Sequence, residues 1–368
     1  MAGAMPPCLP SRRHAMRTGR LAAASRRAGG LTVTLALLLF TLSGRTPMGA
    51  APVEPGSRIP WQGGAWYLHG ANLPWYNWAC DFGCGAQGGV SDPAVRAALE
   101  PVLRAASAAG MRVVRWWMFE GGAKPIQRDA DGAPAGLNPT VYADIDAALA
   151  LADEHDIYFI FTLFAAPSDL PLGWLTDPAQ RVRLAEALAP LFGRYRGQPR
   201  LLAWDLFNEP EWDIWNHKVS AEAVQAMVRE LAATVHAQSD TYVTLGSAML
   251  DGLPLWVGQG LDYYTAHWYD YMSTGNWCAL CTDYAAVRAR NGLDAPLVIG
   301  EFYAGPDASA RQRFTAWYDK GYAGALAWSL VPERTFDRMA IDLGAAAAFA
   351  AERADTGPRA AAPSREPN

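Results

Sequence analysis

Residues 201–210 of this chain are LLAWDLFNEP, an apolar stretch that ends abruptly in Asn208, Glu209 and Pro210. The segment Leu201–Leu206 has the length and the aliphatic and aromatic content of a buried β-strand. A longer segment with helical periodicity follows at 220–238. A strand followed by a helix is the repeating unit of a parallel α/β fold.

The same unit recurs along the chain. Seven further candidate strands are Trp66–Gly70, Arg112–Trp117, Tyr158–Leu163, Tyr242–Leu245, Tyr263–Trp268, Leu297–Gly300 and Ala325–Ser329. The helical segments between and after them are 92–109, 140–154, 178–195, 283–290, 307–321 and 340–353, with only a short piece, Leu253–Val257, after the fifth strand. Eight strands with interleaved helices predict an α/β fold of one domain, a single (β/α)8 TIM barrel.

The alternative is an open doubly wound sheet. A nucleotide-binding sheet of that kind needs a glycine-rich turn after its first strand. Here the first strand continues into Ala71-Asn72-Leu73-Pro74-Trp75, which has no glycine to cradle a phosphate. The sequence therefore favours the closed barrel.

The N-terminus has the layout of a secretory signal peptide. Basic residues from Arg12 to Arg27 precede an apolar run, Leu31–Leu42, and small residues follow at 49–51. The apolar run has 12 residues, whereas a membrane span needs about 20. We expect residues 1–51 to hold the signal peptide and the start of a linker, and the protein to be secreted or periplasmic. An uncleaved N-terminal anchor is the alternative.

The remaining boundaries follow from composition. Residues 52–64 are predicted to be a linker, 65–353 the (β/α)8 barrel domain, and 354–368 a disordered tail rich in Pro, Ala and Arg. Residues 1–50 hold seven arginines and no acid, so 24 basic and 36 acidic residues remain, a net charge of −12. Such an acidic body argues against nucleic acid or an anionic membrane as a partner. We expect no stable membrane partner if the signal is cleaved, and a monomer.

Four cysteines remain after the predicted signal: Cys80, Cys84, Cys278 and Cys281. An even number in an oxidising compartment favours disulfides. Proximity in sequence favours Cys80–Cys84 and Cys278–Cys281, but pairing between the two loops stays open. Zinc binding by the same four thiols is the alternative.

Two glutamates follow predicted strands on opposite sides of the barrel. Glu209 follows the fourth strand and Glu301 the seventh. Strand ends of a barrel meet at one mouth, where its active sites lie. Glycosidic hydrolysis needs one carboxyl group to protonate the leaving oxygen and a second to attack the anomeric carbon or to activate water. The pair therefore predicts glycosidase chemistry, although a single glutamate at a barrel rim is more often half of an ion pair.

Leu206-Phe207-Asn208-Glu209-Pro210 and Val298-Ile299-Gly300-Glu301-Phe302 together resemble the clan of retaining glycoside hydrolases typified by the family 5 cellulases and mannanases. The resemblance covers roughly residues 65–335. It implies that Glu209 is the acid/base and Glu301 the nucleophile of a double displacement. It also implies that Asn208 binds the sugar 2-hydroxyl group and that Arg115 orients and ionises the nucleophile.

By the same resemblance, His267 and Tyr269 match the clan's His-x-Tyr after the sixth strand, and Trp328 matches its tryptophan after the eighth. The predicted substrate-binding set is Asn208, Arg115, His267, Tyr269, Trp328, Asn72, Trp75 and Trp116. Family 5 enzymes usually carry a histidine at the end of the third strand, where this chain has Thr162-Leu163-Phe164-Ala165-Ala166-Pro167. His69 is a candidate to replace it, and Glu120 is the main rival to the catalytic assignment.

The aromatic residues bear on the substrate. The chain has 15 tryptophans, and several follow the predicted strands. Aromatic rings pack on the C–H faces of sugars, so such loops favour a polysaccharide or oligosaccharide. We expect a secreted retaining β-glycoside hydrolase, endo-acting on a β-linked glycan, with no metal and no organic cofactor. A transglycosylase using the same site and an inactive glycan-binding barrel are the alternatives.

Overall fold

The computed structural model describes residues 58–272, 282–334 and 339–357. Eight parallel strands close a barrel in chain order, so that each strand pairs with the next and the eighth pairs with the first. The strands are β1 (Leu68–Leu73), β2 (Val113–Trp117), β3 (Tyr158–Phe164), β4 (Leu201–Asn208), β5 (Tyr242–Ser247), β6 (Tyr264–His267), β7 (Leu297–Tyr303) and β8 (Gly324–Trp328). The predicted single (β/α)8 barrel is confirmed.

Long helices follow seven of the eight strands. They are α1 (Pro93–Ala108), α2 (Thr140–His155), α3 (Pro178–Arg194), α4 (Ala221–Gln238), α5 (Tyr284–Asn291), α6 (Ala310–Asp319) and α7 (Leu343–Ala351). Strand β5 is followed by a 3-10 helix, Leu250–Leu255, where the sequence showed only a weak helical piece. At the start of α1 the Asp92 carboxylate accepts a hydrogen bond from the Ala94 N–H, with Pro93 as the first helical residue.

Shorter helices and a hairpin lie in the loops. Single helical turns span Glu120–Ala123, Leu172–Thr176 and Glu211–Trp215, and a small antiparallel hairpin pairs Ile126–Arg128 with Pro134–Leu137. The loops that follow β2, β3 and β4 therefore hold ordered structure over the barrel mouth.

The segment predicted as a linker contains a hairpin, Ile59–Trp61 paired with Gly64–Trp66. Its turn has positive φ at Gln62 and Gly63, the backbone of a tight two-residue hairpin turn. Ile59 is fully buried in an apolar cluster with the first residues of several strands, including Leu68 and Val113. The hairpin covers the amino-terminal end of the barrel, so the predicted linker boundary at residue 64 was too late.

The first residues of the segment predicted as a disordered tail have defined contacts. Thr356 makes a β-bridge with Tyr67, and the Asp355 carboxylate accepts hydrogen bonds from Arg58 Nε at 2.5 Å and Tyr318 Oη at 2.9 Å. The chain is thus ordered to residue 357, and the rest of the predicted tail lies outside the described residues. The predicted signal peptide also lies outside them. In the described part of the chain, every helix is too short or too polar to cross a membrane.

Candidate active site

The carboxyl ends of the strands surround one open cleft of about 320 Å³. It is lined by Trp75, Trp117, Glu120, Asn208, Glu209, Tyr269, Tyr271, Glu301, Trp328 and Met339. Both candidate catalytic glutamates are in this set, together with four predicted substrate-binding residues: Trp75, Asn208, Tyr269 and Trp328. Strand ends that are distant in sequence have therefore been brought to one site, as a barrel requires.

Glu209 and Glu301 lie close together with His267 beside them. One carboxylate oxygen of each glutamate and the His267 Nδ1 atom all lie within 4.8 Å of one another. His267 Nδ1 is 2.8 Å from Glu209 Oε1 and 3.5 Å from Glu301 Oε2. A shift of register between β6 and β7 at Ala266 and His267 pairs His267 with Glu301. This spacing is shorter than the separation of about 6.5–9.5 Å between the two carboxyl groups of enzymes that place a water molecule beside the substrate.

The Glu301 carboxylate accepts two strong hydrogen bonds. Arg115 Nη1 donates to its Oε1 at 2.9 Å, and the Tyr269 hydroxyl donates to its Oε2 at 2.9 Å. A guanidinium and a phenol directed at one carboxylate favour its ionised form. Glu301 thus has the surroundings of a group that works as an anion.

Arg115 is itself held from several sides. Its Nε donates to Asp205 Oδ2 at 2.6 Å, and its Nη2 donates to Asn208 Oδ1 at 2.9 Å. Its guanidinium carbon lies 4.2 Å from the centre of the Trp117 ring. The two buried carboxylates, Asp205 and Glu301, offset the cost of burying the guanidinium. Asn208 thus has its amide oxygen engaged by Arg115 and also lines the cleft.

Glu209 has an unusual backbone. Its φ is +48°, in the left-handed region, and its N–H donates to the Gly246 carbonyl at 2.7 Å. Such a conformation costs a non-glycine residue about 1–2 kcal/mol and is concentrated at functional sites. Its side chain is held on both oxygens, by His267 at Oε1 and by Trp212 Nε1, which donates to Oε2 at 3.0 Å.

Known proteins are similar to this chain along most of its length. The mannan endo-1,4-beta-mannosidase of Mytilus edulis is 27% identical over 327 residues, which cover 74% of this chain and 86% of that protein. A mannan endo-1,4-beta-mannosidase of Cryptopygus antarcticus is 23% identical over 322 residues, covering 74% and 82%. The solved beta-mannanase of the blue mussel Mytilus edulis superposes with a TM-score of 0.69 at 23% identity, covering 83% and 97%. No protein-family model matches the chain.

The chain is a glycoside hydrolase, and it is similar to the mannanases of the family 5-like clan. The predicted clan is thereby confirmed from relatives that align along most of the chain.

The proton affinities of the hydrolase's two glutamates follow from burial and neighbours. Burial raises the pKa of Glu209 to about 7, and the hydrogen bond from Trp212 opposes that rise. Burial also raises the pKa of Glu301, while the Arg115 cation opposes the rise and the Glu209 carboxylate adds to it. Burial lowers the pKa of His267 to about 4, so its ring is neutral near pH 7.

The same three side chains have the donor types of a metal site. A divalent ion could in principle take one atom each from Glu209, His267 and Glu301. However, the Arg115 guanidinium already lies 2.9 Å from Glu301, and its positive charge opposes the binding of a second cation. The Arg115 charge therefore disfavours a metal ion at these three side chains.

Several predicted site residues do not reach the substrate cleft. Trp116 is fully buried on the outer side of β2, where it contacts Phe82 and donates to Asp81 Oδ2 at 2.9 Å. Asn72 is also fully buried, and its amide donates to backbone carbonyls of β7 and β8, with the Gly300 bond at 2.9 Å. The prediction for Trp116 was wrong because adjacent residues of a strand point to opposite faces. The prediction for Asn72 was wrong because its side chain points inward but lies beneath the cleft, where Asn72 Oδ1 accepts from Arg115 Nη1 at 3.3 Å.

Arg115 and His267 are at the site but lie beneath it. Both are buried, and both contact the catalytic carboxylates, so they act on the glutamates and not on the sugar. His69 does not replace the missing third-strand histidine. It is buried between Phe314 and Phe349 outside the barrel, and burial lowers its pKa to about 3.

Two residues were missed by the sequence analysis. Asp205 anchors Arg115 and accepts a hydrogen bond from Thr162 Oγ1 at 2.8 Å. It could have been found from the sequence, because it is the one charged residue in the apolar strand β4. Tyr271 lines the cleft, is 74% exposed and lies parallel to Tyr269. No periodicity marks a residue in such a loop.

Glu120, the rival carboxylate, also lines the cleft. Burial raises its pKa to about 7, and nearby Asp169 adds to the rise. Arg115 donates to Asp205, Glu301, Asn72 and Asn208, and none of these bonds goes to Glu120. Glu301 is therefore better placed than Glu120 to act as an anion.

The hydrolase has a disulfide between Cys80 and Cys84, which confirms one predicted pair and removes these two sulfurs as zinc ligands. Cys278 and Cys281 lie outside the described residues. The Cys80–Cys84 loop follows β1 and is held to α2, because the buried Asp144 carboxylate accepts from the Gly83 and Gly85 N–H groups at 2.8 and 3.0 Å.

Proposed function

We propose that the chain is an exported mannan endo-1,4-β-mannosidase that cleaves by a retaining double displacement. The observation that carries the mechanism is the pair Glu209 and Glu301, whose nearest ligand atoms lie within 4.8 Å. Retaining enzymes hold their two carboxyl groups about 5–5.5 Å apart, whereas inverting enzymes need about 6.5–9.5 Å. The names of the Mytilus and Cryptopygus relatives support mannan as the substrate.

In the first step Glu209, as the acid, donates its proton to the glycosidic oxygen. The Glu301 carboxylate attacks the anomeric carbon on the opposite face, and the bond from that carbon to the leaving sugar breaks. Arg115 and Tyr269 hold Glu301 in its attacking position through bonds of 2.9 Å each. The amide of Asn208 is placed to bind the neighbouring 2-hydroxyl group.

In the second step Glu209 is an anion and acts as the base. It takes a proton from water, the water oxygen bonds to the anomeric carbon, and Glu301 leaves as a carboxylate. Two inversions give net retention. The raised pKa of Glu209, about 7, suits a group that must give and then take a proton near neutral pH.

Action on internal linkages is supported by aromatic side chains on several sides of the glutamates. Trp75 and Trp328 line the cleft from the loops after β1 and β8, and Tyr271 lines it from the loop after β6. A long glycan needs such platforms on both sides of the bond that is cut.

Export is supported by the signal-like N-terminus and by the Cys80–Cys84 disulfide. Disulfides persist in oxidising compartments and are rare in a reducing cytosol.

The test is release of reducing sugar from soluble mannan, β-glucan and xylan by the wild type, Glu301→Gln and Glu120→Gln. We expect release from mannan, a loss of about 10³-fold or more in Glu301→Gln, and a change below about tenfold in Glu120→Gln. NMR of the first product should show the β-anomer. An α-anomer as first product would refute the double displacement, and a loss in Glu120→Gln alone would reverse the assignment.

Two other outcomes separate the alternatives. Products longer than the substrate would indicate transglycosylation, in which a sugar replaces water in the second step. Tight mannan binding without release by the wild type would indicate a binding protein.

A further inference from the structure

Both oxygens of the proposed acid/base are held by ring nitrogens. His267 Nδ1 lies 2.8 Å from Glu209 Oε1, and Trp212 Nε1 donates to Oε2 at 3.0 Å. The two neighbours differ in kind. His267 is fully buried and can exchange donor and acceptor roles, whereas Trp212 is partly exposed and its indole N–H can only donate.

The Trp212 ring is held in place by local structure. Trp212 lies three residues after Glu209, in the turn Glu211–Trp215, and its N–H donates to the Glu209 carbonyl at 3.2 Å. Asn216 Nδ2 donates to the Trp212 carbonyl at 2.7 Å, and Trp215 packs against the indole ring edge-on at 5.4 Å. The left-handed backbone of Glu209 and this turn together direct the indole N–H at the Glu209 carboxyl group.

We propose that Trp212 is a positioning residue of the acid/base, whose indole N–H orients the Glu209 carboxyl group and stabilises the negative charge that it gains on releasing its proton. The proposal rests on the proposed function, because it gives Trp212 a role only if Glu209 is the acid/base.

The bond changes in strength during the reaction. While Glu209 is protonated, the indole bond joins two neutral groups. As the proton moves to the glycosidic oxygen, the bond becomes charge-assisted, and such bonds are shorter and roughly twice as strong. An interaction that strengthens toward the transition state raises kcat more than it lowers KM. Loss of the indole N–H should therefore appear in kcat.

The bond also sets the proton affinity of the acid. A donor to the charged form of a carboxyl group lowers its pKa, and Trp212 is the largest opposing influence on the raised pKa of Glu209. Removing the N–H while keeping an aromatic ring should move the alkaline limb of the pH profile upward.

Trp215 offers a matched control. It is 40% exposed against 41% for Trp212, and it belongs to the same helical turn. Within the described residues, the hydrogen bonds to the Glu209 carboxylate come from Trp212 and His267. Trp215→Phe therefore removes an exposed indole N–H beside the site, keeps an aromatic ring against Trp212 and removes no hydrogen bond to the acid.

The experiment compares Trp212→Phe and Trp215→Phe on mannan and on a dinitrophenyl β-manno-oligosaccharide. For Trp212→Phe we expect kcat on mannan to fall about tenfold, KM to change less than about threefold, and the alkaline limb to rise by about half a pH unit. On the dinitrophenyl substrate, whose leaving group needs little protonation, kcat/KM should stay within about twofold. Trp215→Phe should keep the wild-type pH profile.

A double-mutant cycle excludes a merely structural effect. If Trp212 acts through Glu209, Trp212→Phe should cause no further loss in a Glu209→Gln background. The proposal is overturned if Trp212→Phe keeps the wild-type pH profile, or if it lowers the activity of Glu209→Gln by the same factor as that of the wild type.

A measurement without substrate separates this proposal from the proposed function. NMR titration of carbon-13-labelled glutamate carboxyl groups should show a higher pKa for Glu209 in folded Trp212→Phe than in the wild type. An unchanged pKa refutes the proposal even if mannan is hydrolysed. A wild type that cleaves no mannan refutes the proposed substrate and leaves this titration valid.

Discussion

At the scale of single residues, the two proposed catalytic carboxyl groups differ in their donors. Glu301 accepts from a guanidinium and a phenol, whereas Glu209 accepts from an indole and faces a neutral imidazole. Both are buried, so the cation at Glu301 decides which group ionises first. We therefore expect Glu209, rather than Glu301, to carry the proton that the first step needs.

This assignment predicts the alkaline limb of the pH profile. Glu209 must be protonated for the first step, and its pKa is raised to about 7. The value of kcat/KM should therefore fall above pH 7, by about tenfold per unit once the limb is reached. Initial rates on mannan between pH 5 and 9 measure it, with a folded-state check by circular dichroism at each pH. A rate that stays constant to pH 9 would contradict the assignment.

A side chain at position 246 should disturb Arg115 and His267, which contact the two glutamates. It lies in β5, and a Cβ there would be 2.7 Å from Arg115 Nη2 and 3.1 Å from His267 Nε2. In Gly246→Ala the guanidinium must move away from Asn208, and we expect kcat to fall by about 10²-fold or more. Initial rates on mannan measure it.

Gly193→Ala is the control for that change. Gly193 is exposed in α3, where a Cβ would meet only Gln238 Oε1 at 3.4 Å. Alanine favours a helix over glycine by about 0.5–1 kcal/mol, so this variant should be slightly more stable and fully active. Wild-type activity in Gly246→Ala would show that Arg115 need not hold its observed place.

At the scale of elements, one buried carboxylate ties α2 to the loop that follows β1. Asp144 accepts from the N–H groups of Gly83, Gly85 and Ser91 and from the Ser91 hydroxyl, at 2.6 to 3.0 Å. In Asp144→Asn an amide would face several backbone donors, and we expect a loss of about 2–4 kcal/mol in the free energy of unfolding. Urea denaturation measures it.

Asp146→Asn on the same helix is the matched control. Asp146 is half exposed and pairs with Arg194 at 2.8 Å, and exposed ion pairs contribute about 0–1 kcal/mol. Equal losses in the two variants would mean that the buried hydrogen bonds of Asp144 stabilise the protein no more than the exposed ion pair of Asp146 does. The expected difference would show that Asp144 of α2 stabilises this loop, because the disulfide constrains only residues 80–84.

At the scale of the whole molecule, the sequence predicted the barrel because its strands are short apolar runs closed by helix signals. The helix 178–195 was found as Pro178–Arg194, with Asp177 capping the Ala179 N–H. Side-chain direction was harder. Arg115 and Trp116 are neighbours in β2, yet one lies under the cleft and the other packs outside the barrel, and a strand buried on both faces has no alternation to tell them apart.

Contacts between distant strands could not be predicted either. Asp205 and Arg115 are separated by 90 residues and meet only because the barrel closes. The hairpin at Ile59 was missed because its burial depends on the end of a barrel that must already exist. The sequence shows which residue types lie at the strand ends. It does not show the strand register, which decides which of these residues meet.

The N-terminal segment predicts that the whole chain is exported. We expect the full-length chain, expressed in a bacterium, to be recovered outside the cytoplasm with an N-terminus near residues 50–52, after the small residues that follow the apolar run. Its Cys80 and Cys84 should resist alkylation until reduced, because they are disulfide-bonded. Peptide mass spectrometry of the exported fraction measures both. A chain that starts at 58 and lacks the signal is the control and should stay in the cytoplasm. An intact N-terminus on membrane-bound protein would favour the uncleaved anchor, and a cytoplasmic full-length product would refute export, because the arginine-rich segment would then have failed as a signal.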